Sequence, residues 1–82
     1  MKKYYECFIA WETENGTQTA LAYCNAENKT EAKRKISNRV PHKIHKIEPS
    51  DLQCVSGYVD KIKDSVRLWY FDSNKNEHVE EV

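Results

Sequence analysis

Residues 25–40 read NAENKTEAKRKISNRV, and this stretch decides how the rest of the chain is organised. Asn28 is a favoured N-cap residue and Glu31 stands three positions later, so Asn-Lys-Thr-Glu forms a capping box in which each side chain answers a free backbone N–H. The pattern predicts a helix starting near Lys29. Pro41 lacks an N–H and disfavours the α conformation in Val40, so the helix is expected to stop between Asn38 and Val40. Within those limits Ala32, Ile36 and Val40 recur at every fourth position, which gives one narrow apolar stripe for the core.

The helix is otherwise basic. Lys29, Lys33 and Arg39 flank the stripe, where long stems lie along apolar surface and the charge reaches water. Arg34 and Lys35 are expected to point further out, with Glu31 placed for a favourable i,i+4 pair with Lys35. Lys43 and Lys46 follow shortly after. From Lys29 to Lys46 there are seven Lys or Arg and one acid, Glu31, an excess of +6 in a chain whose 13 cations and 13 acids otherwise cancel. Such a run reads in two ways. It is either the solvated side of an amphipathic helix, or a surface for phosphates or an acidic partner to which all seven cations contribute.

Upstream of the helix, Lys3 to Glu12 alternates as a strand, with Tyr5, Cys7, Ile9 and Trp11 on one face and Tyr4, Glu6, Phe8 and Ala10 on the other. Asn15-Gly16 is a strong hairpin signal, and Thr17 to Cys24 returns. If those two residues are the loop, Cys7 faces Cys24, and Ala20 and Ala22 stand beside Trp11 and Ile9. Small residues there leave room for the helix, so that face receives Ala32 and Ile36. Phe8, Leu21 and Tyr23 occupy the other face, which must be wrapped by the C-terminal half or met by a partner or a second copy.

Downstream, His42 to Glu48 reads as a short, bulged strand anchored by Ile44 and Ile47. For residues 51–63 the signals conflict. A Ser50-x-x-Gln53 box and the spacing of Leu52, Val55, Val59 and Ile62 favour a second helix, while Gly57 and the valines suit a strand from Cys54 to Val59. Val66 to Phe71 is a strand, Ser73 to Asn76 a polar turn, and Glu77 to Val82 an acidic edge strand. The expected fold is thus a single α+β domain over 1–82, an antiparallel sheet packed on one main helix in ββαβ-α-ββ order. Trp69, Tyr70 and Phe71 read as core. Phe8, Trp11, Tyr23 and Trp69 are the candidate aromatic interface, because buried aromatics anchor protein contacts.

Composition narrows the function. Eighty-two residues with 39% hydrophobic content, two glycines and two prolines describe a thin-cored globular domain. No run reaches the roughly 18 apolar residues of a membrane span, and the N-terminus offers no signal peptide, so a cytosolic protein is expected. Three cysteines then read as reduced thiols, with Cys7–Cys24 the one pairing left open. His42, His45 and His78 lack metal-ligand spacing with Cys7, Cys24 and Cys54, so no metal is expected. No nucleophile has a general base marked beside it, no glycine loop cradles a phosphate, and Glu80-Glu81 read as solvated. The expectation is a protein that works without catalysis and without a cofactor.

Four blocks carry a family resemblance: Asn15-Gly16-Thr17-Gln18 entering a strand, Thr30 to Ser37 in the helix, Lys46-Ile47-Glu48, and Leu68-Trp69 before a polar turn. In this order they resemble small phage-encoded anti-CRISPR proteins, the ninth family directed at type I-F systems, and cover about a third of the chain. The resemblance implies inhibition of a host defence nucleoprotein complex in the host cytosol, by occluding the positively charged track on which target DNA lies. Pro49 to Ser65 stands as an insertion relative to that family, and Glu77, Glu80 and Glu81 suit a basic track better than the helix does. The hairpin and Thr-x-x-Glu-Ala helix start are also similar to the arm-site DNA-binding domains of phage integrases. Those read the major groove with a basic sheet, whereas no basic residue lies between Phe8 and Cys24 here. Binding to DNA or RNA would then run through the backbone phosphates and the helix. A plain adaptor subunit using the Phe8, Leu21 and Tyr23 face is the third reading.

Overall fold

The structure, a computed structural model, describes residues 1–82. Its frame is a five-stranded antiparallel sheet: β1 (Lys3–Thr13), β2 (Gly16–Ala26), β3 (Leu52–Val55), β4 (Val66–Phe71) and β5 (Glu77–Glu81), in spatial order β3-β1-β2-β4-β5. One helix, α1 (Lys29–Arg39), lies on one face. This is the expected α+β domain with a single main helix.

The helix follows its local code. Asn28 Oδ1 accepts from the Glu31 N–H at 2.9 Å, and the chain leaves the helix at Val40, just before Pro41. Ala32, Ile36 and Val40 are buried against the sheet's inner face, where Tyr5, Cys7, Ile9 and Trp11 of β1 meet Ala20, Ala22 and Cys24 of β2 and Val66 and Leu68 of β4. The alanines of β2 let the helix backbone approach closely. Ile47 and Leu52 close the far side of this core.

Three sequence expectations are corrected. The hairpin loop is Glu14-Asn15, with Gly16 (φ +111°) opening β2; Asn15 does not adopt positive φ, so the primed turn that Asn-Gly favours is not formed. Thr13 Oγ1 fixes the loop, donating to the Gly16 carbonyl and accepting from the Asn15 N–H. The register shifts accordingly: Cys7 faces Ala22, Ile9 faces Ala20, and Cys24 faces Tyr5. Cys7 and Cys24 are buried free thiols.

The second helix is absent. Pro49–Asp51 makes one 3-10 turn, in which Asp51 Oδ2 accepts from the Glu48 N–H at 2.9 Å, so the capping signal lies two residues earlier than the Ser50 box and serves a turn. Leu52–Val55 then pairs with β1, where Leu52 buries beside Cys7. Strand pairing overrides helical spacing because β1 offers an open edge there. Residues 42–48 form no continuous strand. Only Ile44 bridges Trp11, and the His45 N–H donates to the Ala10 carbonyl at 2.8 Å.

Finally, the C-terminal half does not wrap the sheet. β4 adds to the free edge of β2 and β5 to that of β4, so the sheet widens; the 59–63 loop covers one end of its outer face at Asn25, and Phe8, Trp69, Phe71 and Val79 on that face stay exposed.

Candidate interaction surface

Strand alternation sends Phe8 of β1, Leu21 and Tyr23 of β2, Trp69 and Phe71 of β4 and Val79 of β5 to the uncovered face. Phe8, Leu21, Trp69 and Val79 stand opposite one another across four strands as one apolar row. Phe8 is 77% exposed and Val79 57%. Trp69 and Phe71, expected in the core, are exposed as well; they occupy alternate positions of a strand whose inner face is filled by Val66 and Leu68. A row of this kind, left exposed on a sheet face, is a candidate contact surface. Tyr4 and Tyr23 continue it at one end, ring centroids 5.8 Å apart.

Around the row the charge is acidic. By register Glu6, Glu12, Glu77 and Glu81 lie on this face against one cation, Arg67, which is tied to Glu81 at 2.9 Å. Glu77 Oε2 accepts from Trp69 Nε1–H at 2.9 Å and makes no salt bridge.

Trp11, the remaining aromatic candidate, is on the inner face and buried. The His42 ring stacks on it with centroids 4.1 Å apart, and Tyr70 meets it edge-on at 5.3 Å. It offers no surface to a partner. The three histidines each approach a carboxylate: His45 Nε2 lies 3.2 Å from Glu12, His78 Nε2 2.7 Å from Asp72, and His42 Nε2 4.0 Å from Glu80. His78 and the Asn74 and Asn76 N–H groups hold the Asp72 carboxyl below the usual carboxylate range. No three His, Cys, Asp or Glu side chains converge as a metal site.

The seven cations separate into groups. Lys35, expected to point outward, is 7% exposed. Its Nζ donates to the Asn25 carbonyl at 2.8 Å and to Asp64 Oδ1 at 3.0 Å. Arg39 also binds Asp64, through the carboxylate at 3.3 Å and through the backbone carbonyl. These two hydrogen-bonded cations hold the Asp64 carboxyl below its ordinary value. Lys46 pairs with Glu48 at 3.5 Å. Lys29, Lys33, Arg34 and Lys43 form no salt bridge, and Lys43 sits in the 40–48 segment rather than on the helix. The sequence count of seven therefore overstates the free positive charge.

What sequence reasoning missed is the hub beneath this. Asn25 is fully buried; its Nδ2 donates to the Val59 and Lys63 carbonyls and its Oδ1 accepts from the Val59 N–H at 3.1 Å, which pins the loop that carries Asp64. The only signal for it is a polar residue at the end of an apolar strand. No protein-family model matches the chain, and comparison with curated proteins and with solved structures returned no match. Fold and surface together define a small α+β module with an open sheet. No helix is long and apolar enough to cross a membrane.

Proposed function

We propose that this is a non-catalytic binding module that inhibits a host defence nucleoprotein complex of the CRISPR type, and that it does so by laying its open sheet face on a basic protein surface. One observation carries the reading: an uncovered apolar row rimmed by Glu6, Glu12, Glu77 and Glu81. An apolar centre supplies affinity and the acidic rim selects a partner of opposite sign. The same rim disfavours a face-to-face homodimer, because like charges would meet. The resemblance of four sequence blocks to type I-F anti-CRISPR proteins supports the positively charged DNA track of a surveillance complex as the target.

The test is target-DNA binding by a type I-F surveillance complex in the presence of the protein. Wild type is expected to block binding, and Phe8→Glu and Val79→Glu to lose the effect while remaining folded. Block by both variants equal to wild type rejects the sheet face. A second reading, phosphate binding through α1, is supported by the unpaired Lys29, Lys33 and Arg34. Three phosphate contacts predict that log K for duplex DNA falls with log salt at a slope of about −2.7, against about −6.3 for seven. Lys33→Glu/Arg34→Glu should abolish that binding; retained binding would remove the helix as its source.

A further inference from the structure

β5 ends the sheet on one side, and its outer edge is open. Val66 and Val82 exchange backbone hydrogen bonds at 2.8 and 2.7 Å, and the Asp72 N–H donates to the Asn76 carbonyl at 3.0 Å. Bonded pairs alternate along an antiparallel ladder, so between those two points the bonds from β5 to β4 belong to His78 and Glu80. The N–H and carbonyl groups of Glu77, Val79 and Glu81 therefore point away from β4, where no other strand lies. The same three residues carry their side chains on the exposed face of the sheet. Val79 is there the last member of the apolar row that starts at Phe8, and a glutamate stands two residues to either side of it.

A strand added at this edge would stand in a fixed relation to those three side chains. Its residue opposite Val79 would extend the apolar row by one strand, and the residues two positions before and after would lie directly opposite Glu77 and Glu81. Opposite charges in such pairs stabilise a ladder and like charges weaken it, so the edge selects the pattern cation-x-apolar-x-cation. The acids on the inner side are answered within the chain: Glu80 Oε1 accepts from the Tyr70 hydroxyl at 2.9 Å, and Asp72 meets His78 at 2.7 Å. On the outer side Glu81 meets Arg67 at 2.9 Å, and Glu77 meets the uncharged Trp69 Nε1–H. A second copy is a poor occupant, because two β5 strands paired antiparallel about Val79 would set Glu77 against Glu81 twice, and the other edge strand, β3, holds no cation to answer them. We propose that the β5 edge accepts an extended segment of a basic protein partner as a further antiparallel strand, with an apolar residue opposite Val79 and Lys or Arg opposite Glu77 and Glu81. Backbone pairing gives the affinity, and the alternate side chains choose the segment. The inference goes beyond the reading of the face, because the edge would pair with such a segment whether or not the face is covered.

The probe is acetyl-Thr-Arg-Thr-Val-Thr-Arg-Thr amide, titrated into the 15N-labelled protein beside one counterpart N-methylated at the valine and another with Glu in place of Arg. N-methylation keeps the charge and the side chains and removes the N–H that would donate to the Val79 carbonyl. The arginine peptide is expected to give saturable shifts of the Glu77, Val79 and Glu81 amides at millimolar concentration. It should bind roughly tenfold tighter than the N-methylated peptide, which leaves one backbone bond unmade, and the glutamate peptide should not saturate. Glu77→Gln, which keeps an acceptor for Trp69, should weaken the arginine peptide about two- to fivefold. Equal binding by the N-methylated peptide overturns strand addition in favour of general charge attraction. Equal binding by the glutamate peptide, or unchanged affinity in Glu77→Gln, overturns the basic occupant, and no saturable shift with the arginine peptide overturns the proposal outright. Phe8→Glu, three strands away, separates the edge from the face: peptide affinity should stay within about twofold of wild type even where inhibition is lost, and loss of peptide binding in this variant would put the peptide on the face and overturn the edge site.

Discussion

Lys35→Met should destabilise the protein about as much as a core truncation, although the sequence presents Lys35 as the outward member of a Lys-Arg-Lys run. Methionine keeps the unbranched stem that packs under α1 and removes only the charged donor. The Asn25 carbonyl, which accepts from Nζ at 2.8 Å, then lies buried without that partner. A hydrogen bond from a charged group contributes about 1.5–3 kcal/mol. The Asp64 carboxylate is 70% exposed, so water screens the ion pair and its share is discounted. The net loss is about 2 kcal/mol, which for a domain of this size lowers the melting temperature by roughly 8–16 °C. Urea unfolding followed by far-UV circular dichroism, with calorimetry for the melting temperature, reads the effect. Lys33→Met is the control and should stay within about 0.5 kcal/mol of wild type, as surface substitutions do. Equal stability of the two variants would refute the buried hub. A charge-reversal experiment on α1 that includes Lys35 would therefore confuse unfolding with lost binding.

Three shorter predictions accompany this one. Burial pushes the Cys7 thiol up to about 11 and raises Cys24 as well, so at roughly pH 8 a thiol reagent should label Cys54 fast and the other two only on unfolding; rapid labelling of all three would contradict the packing. Ile36→Ala, at a fully buried position between helix and sheet, should cost about 3 kcal/mol in urea unfolding, since the rigid sheet cannot collapse into the space. Asp64 and Asp72 have folded-state values below their unfolded ones, so their contribution is complete above the ordinary carboxylate value near 3.9 and is lost as pH falls through the lower folded values. The melting temperature should be flat down to about pH 5 and drop below about pH 4, and Asp64→Asn should show a shallower drop; an unchanged acid limb in that variant would count against the Lys35 and Arg39 pairs.

Where the sequence was legible, the reason was local. Asn28 and Pro41 act on backbone groups within one turn of themselves, so α1 starts and stops where they place it, although the Glu31 side chain does not make the return bond of the expected capping box. The alternation from Tyr5 to Trp11 survives because its odd face is buried along its whole length. The hairpin was legible in kind and wrong in register: Asn15-Gly16 marks a turn, but Thr13 holds the loop one residue earlier by its side chain, and every cross-strand pair shifts with it. Residues 51–63 failed because helical spacing of Leu52, Val55, Val59 and Ile62 is a local signal, while the open edge of β1 and the side chain of Asn25 are distant ones. The aromatic candidates divided for a similar reason. Face assignment placed Phe8 and Tyr23 correctly, but which face is covered depends on where β4 and β5 attach, and that is decided by pairing rather than by periodicity.

The charge of the molecule follows the same logic. Counted along the chain, residues 29–46 are the positive element and the acids are scattered. In three dimensions Asp64, from a loop 25 residues beyond Arg39, takes up Arg39 and Lys35, and Glu48 takes up Lys46. Asn25 helps to hold that loop against the helix, so one buried amide at the end of β2 places a single carboxylate on two of the helix's cations and lowers its net positive charge by one. On the opposite face Arg67 takes up Glu81, the Glu12 carboxylate meets His45, and Glu6 and Glu77 keep the rim negative beside the apolar row. A chain of zero net charge thereby presents unpaired carboxylates beside its exposed apolar row. Long-range attraction would then bring a basic partner to that face before any apolar contact forms. Raising the ionic strength should slow association with such a partner far more than it speeds dissociation, because the rim acts at a distance and the row acts on contact. Measured association rates that stay constant between low and physiological salt would place the affinity in the apolar row alone and leave the acidic rim without a role in recognition.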